Sequence, residues 1–149
     1  MPQPLTGEIT TILGALGQDI YDEGGLGLLG LAGPTYRDEK YPGELYRAFH
    51  RSGVAVAYEK KRKAMSARAV FIYIVPQDDA DAYPTPDQLI DGLVLTTAQR
   101  KDIQVFFGEA ALSEDAFDIF TVEGGYLNFE FDSEYNLTLI TAMRQVPGL

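Results

Sequence analysis

The sequence predicts a single α+β domain. A helix-plus-three-strand unit occurs twice, and the strands join in one curved, mostly antiparallel sheet with helices on one face. Three observations predict it. Two segments of equal span, residues 6–17 and 97–108, carry apolar residues at helical spacing. Each is followed by a spacer and then by runs with strand character. The composition, 46% hydrophobic and 23% charged over 149 residues, suits a chain that buries a core of its own.

In the first unit, about residues 6–75, Ile9, Ile12, Leu13 and Leu16 form one apolar stripe, with Thr6 as N-cap and Gly17 as stop. The segment Gly25-Leu-Gly27-Leu-Leu-Gly30 matches a dinucleotide fingerprint in its letters. That chemistry needs a strand before the loop and a helix after it, so that backbone amides meet a pyrophosphate. Here a helix and the acidic Asp22-Glu23 precede it and no helical pattern follows, so residues 24–33 are expected to form a flexible apolar loop. Such a loop packs on the domain or enters a partner.

Strands are expected at 45–51, 54–59 and 68–75, with Lys60-Lys61-Arg62-Lys63 at the tip of a long hairpin. No aromatic residues interleave with those cations and the chain as a whole is acidic, which argues against nucleic-acid binding. Residues 76–92 are polar and proline-rich, a connector rather than a domain boundary. Within it, Thr85-Pro86-Asp87-Gln88 starts a short helix reaching Asp91.

In the second unit, about residues 93–142, Ile103, Phe106 and Phe107 line the buried helix face, and Thr96 with Gln99 has the capping-box pattern. Strands are expected at 117–122, 126–132 and 136–142. Glu123-Gly124-Gly125-Tyr126 signals a tight hairpin, and Leu127, Phe129 and Phe131 alternate with Asn128, Glu130 and Asp132 as in a half-buried strand.

Several chemistries lack their residues. Without cysteine there are no disulfides, thiolate zinc sites or cysteine nucleophiles, in keeping with a reducing compartment. His50 is the sole histidine and no nucleophile-elbow motif accompanies it, so it reads as a surface or packing residue. Asp78-Asp79-Ala80-Asp81 lacks the glycine and closing glutamate of an EF-hand loop and reads as a solvated acidic loop. No metal, no cofactor and no enzymatic activity are expected. The N-terminus has no signal-peptide pattern, and no apolar run approaches the ~20 residues that cross a bilayer, so a cytoplasmic protein without membrane contact is expected.

The net charge of −10 is unevenly placed: residues 1–75 hold 9 Lys/Arg against 8 Asp/Glu, and residues 76–149 hold 3 against 14. The anionic half repels nucleic acid and anionic membrane and attracts a basic partner. The candidate partner-contacting carboxylates are Asp78, Asp79 and Asp81 in the connector, and Glu109, Glu114, Asp115 and Asp118 as an acidic rim after the second helix. Tyrosine buries area while keeping a wet hydroxyl, which suits an interface. Tyr46, Tyr58, Tyr73 and Tyr126 are expected on the open sheet face, and Phe71-Ile72-Tyr73-Ile74, apolar on both faces, marks a central or covered strand.

The run Leu93-Val-Leu-Thr-Thr-Ala-Gln-Arg-Lys-Asp-Ile-Gln-Val-Phe-Phe-Gly-Glu109, with Asp118 to Phe120, Leu127 to Asp132 and Leu137 to Ile140, resembles a recurring bacterial layout. It is similar to the immunity proteins that neutralise polymorphic or contact-delivered toxins, built on a fold like that of the β-lactamase-inhibitor protein. The resemblance covers most of residues 93–142 and, more loosely, 6–75. It implies a curved sheet facing a cognate protein toxin and occluding its active site by stoichiometric binding. Such proteins share no binding residues, so it transfers no site. Two other functions remain open: a type III secretion chaperone, which would end in a dimerising helix, and a small ligand-binding or enzymatic α+β domain with an acidic pocket. The oligomeric state is open as well.

Overall fold

The computed structural model describes residues 4–77 and 79–149. Within them the elements are α1 (Ile9–Ala15), α2 (Glu23–Ala32), β1 (Arg37–Tyr41), β2 (Glu44–Phe49), β3 (Val54–Lys61), β4 (Ala64–Tyr73), α3 (Arg100–Phe107), β5 (Leu112–Ser113), β6 (Phe117–Val122), β7 (Gly125–Phe131) and β8 (Leu137–Met143). The strands form one eight-stranded antiparallel sheet in the order β1-β2-β3-β4-β8-β7-β6-β5. Each half of the chain is therefore a helical segment followed by a four-stranded meander. The two meanders join where Ala69–Tyr73 of β4 pairs with Leu139–Met143 of β8.

Strand parity decides which side chains meet the helices. Leu45 and Phe49, Val54, Val56 and Tyr58, Val70 and Ile72, Ile140 and Ala142, Leu127, Phe129 and Phe131, and Phe120 and Val122 all join one buried cluster. Ile9, Ile12 and Leu13 of α1, Leu28 of α2 and Ile103 of α3 belong to the same cluster. The helices thus share one face of the sheet, as expected. Shifts of register between Ala57 and Tyr58 and between Glu130 and Phe131 bend their strands.

Each half has four strands rather than three. β1, Arg-Asp-Glu-Lys-Tyr, is exposed along its whole length and held by its ladder to β2, so it carries no hydrophobic signature. β5 is only two residues long. The charged edge of β1 also discourages further strand pairing. The N-terminal turn of α1 starts later than Thr6: the amides of Glu8 and Ile9 donate to Gln88 and Leu89 carbonyls, and Thr6 O accepts from Asp91 N. The connector is thereby laid along α1, with Leu89 and Ile90 fully buried and Pro86–Gln88 in a 3-10 turn. At α3 the Gln99 amide donates to Asp102 Oδ2 at 2.9 Å, while the Thr96 hydroxyl is used by Asp87. The capping box is therefore Gln99–Asp102, three residues later than Thr96–Gln99.

The expected loop at 24–33 is instead the helix α2. Its glycines hide a helical pattern, and tertiary packing overrides their low propensity. A Cβ on Gly24 would strike the Gly14 carbonyl, and one on Gly25 the carbonyls of Asp19 and Ile20, so Gly24 must stay small for α2 to lie against α1, and Gly25 for it to lie against the segment that joins them. Gly30 is different: nothing lies within 4 Å of the place its Cβ would occupy. Gly30→Ala is expected to raise stability by about 1 kcal/mol. Gly25→Ala is expected to lower it by about 1–3 kcal/mol through overpacking. Urea denaturation of the two variants checks both signs.

Candidate functional site

The second face of the sheet has no helix over it among the described residues. By register its side chains come in rows across the strands. One row runs Glu39, Tyr46, Ala57, Ala69, Met143, Tyr126 and Thr121. The next runs Arg37, Ala48, Ala55, Phe71, Thr141, Asn128, Ile119 and Leu112. A third holds Tyr73, Leu139, Glu130 and Phe117. The two apolar faces are chemically distinct: none of these residues belongs to the helix-side cluster.

On the β2–β4 side, the Tyr46 and Tyr73 hydroxyls are 3.0 Å apart, and the Tyr46 and Phe71 rings lie 6.2 Å apart. The hydroxyl pair spans β3, whose residues in the first two rows are Ala55 and Ala57. Small side chains there leave room for the rings, and both alanines are buried although no helix covers them. Burial, together with the bond to Tyr73, raises the Tyr46 phenol well above its ordinary value, so it stays neutral. On the β6–β8 side, Leu139, Thr141, Met143, Ile119 and Phe117 surround Asn128 and Glu130. Burial pushes the Glu130 carboxyl up from its usual range.

That shift has a sign. The ionised form of Glu130 is disfavoured in the folded chain, so the group detracts from stability at neutral pH. The penalty disappears as pH falls through the raised folded value. Glu130→Gln is therefore expected to be the more stable protein at pH 7, and its advantage vanishes below the unfolded value of about 4.3. Denaturation midpoints of the two proteins at neutral and acidic pH check this.

Charge is segregated by the strand directions. The β2–β3 turn, the segment after β4, the β5–β6 turn and the β7–β8 turn all lie at one end of the sheet. They bring Asp79, Asp81, Glu114, Asp115, Asp132 and Glu134 to that end, against Arg51. The opposite end carries the β3–β4 turn with Lys60 to Lys63, the Lys61–Glu59 pair at 3.4 Å, and Arg144, together with Glu44 at the β1–β2 turn and Glu123 in the β6–β7 turn. His50 sits in the β2–β3 turn, its carbonyl accepting from Asp81 N and its Nδ1 buried without a partner.

The fold separates the expected site residues. Asp79, Asp81, Glu114 and Asp115 are exposed at the acidic end, and Tyr73 and Tyr126 are half-buried on the open face. Asp78 lies outside the described residues. Glu109 is exposed in the loop between α3 and β5, away from the acidic end.

Two further placements differ from expectation. Tyr58 is on the helix face, 4% exposed and in the core, because it shares parity with Val54 and Val56. Asp118 is fully buried on that same face and is no part of a surface rim. Arg100 Nε and Nη2 grip its carboxylate at 2.9 and 2.8 Å, and Ser113 and Gln104 add hydrogen bonds. Burial alone would raise the Asp118 carboxyl, but these donors outweigh it and hold it below its ordinary value. Its parity with Phe120 and Val122 was the available signal. The same alternation, continued from Leu127, Phe129 and Phe131, assigns Asn128 and Glu130 to the open face.

Among the described residues, no group of three or more His, Asp or Glu is placed to hold a metal ion, and no helix is long and apolar enough to cross a membrane. A depression of about 370 Å³ beside α3 is lined by Leu93, Val94, Lys101, Val105 and Phe106, with Asp102 its one carboxylate. Comparison with protein-family models, curated proteins and solved structures finds no match.

Proposed function

We propose that this chain is a cytoplasmic immunity protein that inhibits a cognate protein toxin, seating its open sheet face over the toxin's active site, one molecule on one. The observation that supports this is the face itself: an uncovered side of the sheet that carries Tyr46, Phe71, Tyr73, Phe117, Tyr126 and Leu139 beside an acidic end. Eight strands about 4.8 Å apart, each offering a few residues, present on the order of 600 Å². With the flanking turns that approaches the roughly 800 Å² each partner contributes to a standard interface. The aromatic side chains supply contact area at low entropic cost, and the carboxylates at the rim speed encounter with a basic surface.

The test is co-production with the product of the neighbouring reading frame in a sensitive host. The expected result is restored growth and a 1:1 complex on size exclusion. Thr121→Arg and Tyr126→Arg, which place cations on the open face, should abolish both while keeping the circular dichroism of the parent. Absence of rescue, or rescue that survives both variants, overturns the proposal.

A further inference from the structure

On the β6–β8 part of the open face one carboxylate lies among apolar side chains, in the row next to the acidic end. Glu130 stands on β7 between Leu139 of β8 and Phe117 of β6. It is half-buried, and among the described residues no ion pair reaches its carboxylate; the nearby Thr138 hydroxyl donates to its backbone carbonyl instead. Two residues earlier on the same strand and face, Asn128 keeps Oδ1 buried without a hydrogen-bond partner, between Thr141 and Ile119. Residues so spaced lie about 7 Å apart along a strand, within reach of one planar side chain laid between them. The chain's own cations are elsewhere: Arg100 is committed to Asp118 on the other face, and Arg37 and Arg68 belong to β1 and β4.

We infer that Glu130 and Asn128 form a receptor for an arginine side chain supplied by the partner, entering the open face between β6 and β8. The inference rests on the reading of that face as the docking surface. Any macromolecule that covers the face removes the Glu130 carboxylate from water, and Asn128 Oδ1 is out of it already. An apolar partner would strand a carboxylate and an amide oxygen, each of which is costly to bury unpaired. A neutral donor would satisfy Asn128 and leave the charge. A guanidinium satisfies both, because its fork donates in two directions and stays charged, whereas the ammonium of lysine is a single point. The walls of Leu139, Phe117 and Ile119 exclude water and strengthen the attraction. The pair therefore discriminates as well as binds: partners without a cation at this point are rejected. The raised carboxyl value of Glu130 in the free chain agrees with a group awaiting its counter-charge.

The first test uses the isotope-labelled full chain and N-acetyl-arginine methylamide, with the neutral isostere N-acetyl-citrulline methylamide as control. The arginine probe should lower the titration midpoint of the Glu130 carboxyl and move the Asn128 side-chain amide signals saturably. Citrulline should do neither, and Glu130→Gln should abolish the response. An equal response to citrulline, or a response confined to Asp115, Asp132 and Glu134 at the acidic end, overturns the inference.

The second test uses the complex with the toxin. Glu130→Gln, with its denaturation midpoint measured as the control for folding, should reduce affinity roughly 30-fold or more. If Glu130→Gln costs less than tenfold while Tyr126→Arg abolishes binding, the arginine receptor falls and the docking face stands. If neither substitution weakens binding, the docking face falls and the receptor with it.

Discussion

Arg100→Ala is expected to lower the stability of the folded chain by about 3–5 kcal/mol, the usual cost of breaking a buried ion pair from one side. Asp118 has no exposed surface, and its carboxylate lies on the helix face among Phe120 and Val122. The guanidinium also donates to the Asp115 carbonyl at 2.7 Å and lies over the rings of Phe131 and Tyr135, 5.1 and 5.6 Å from their centroids. One side chain thus fastens the start of α3 to the β5–β6 turn and to β6. Removing it leaves a buried charge and several carbonyls without donors.

For a chain of this length such a loss lowers Tm by roughly 6–20 °C. Arg100→Lys should recover little, because an ammonium cannot grip both carboxylate oxygens and the turn carbonyls together. Replacing both partners, as in Arg100→Met with Asp118→Leu, should cost much less than Arg100→Ala. The pH dependence has a definite sign. The folded value of Asp118 is depressed, so its contribution is present above the unfolded value of about 3.9 and is lost as pH falls through the folded one. The gap between the parent and Arg100→Ala should therefore be widest near neutrality and shrink in acid. Thermal denaturation across that range checks it.

Phe129→Ala is expected to have a loss of similar size, about 3–5 kcal/mol, by a different route. Phe129 is fully buried at the middle of β7, paired with Ile140 of β8. Its ring centroid lies 5.8 Å from that of Phe120 and 5.3 Å from that of Phe107, and Phe107 in turn stacks on Phe120 at 4.8 Å. Phe106 meets Phe107 edge-on at 4.9 Å. These rings fix the C-terminal part of α3 to the sheet, as Arg100 fixes its start. Truncating Phe129 leaves a cavity on which both α3 and β6 rest. Hydrogen exchange should show α3 amides losing protection before those of β3 and β4. Equal loss across the whole sheet would show that α3 is not held mainly by this cluster.

The second half of the chain was the more legible in sequence, for a physical reason. In β6 and β7 large apolar residues alternate with polar ones, so parity and strand limits both appear, and residues 117–122 are a strand as expected. In β3 the alternation is between valine and alanine, both apolar, so the letters do not say which set faces the helices. That is why Tyr58 was expected on the wrong side. β1 leaves no pattern because none of its side chains is buried, and α2 leaves none because glycine has no side chain to bury.

The candidate site was legible only in part. The tyrosines signalled an aromatic surface, but the way strand directions gather Asp79, Asp81, Glu114, Asp115, Asp132 and Glu134 at one end requires the topology. The parity of Asp118 with Phe120 pointed inward. Its partner Arg100, eighteen positions away on a helix, came only with the packing.

The separation of anionic turns from the basic β3–β4 hairpin makes the molecule an electric dipole lying along its strands. A charged body approaching through solution exerts a torque on such a dipole before any atoms touch, and turns the same end toward itself on each approach. Ionic strength should therefore act chiefly on how fast complexes form, with the lifetime of a formed complex set by the side chains packed within it.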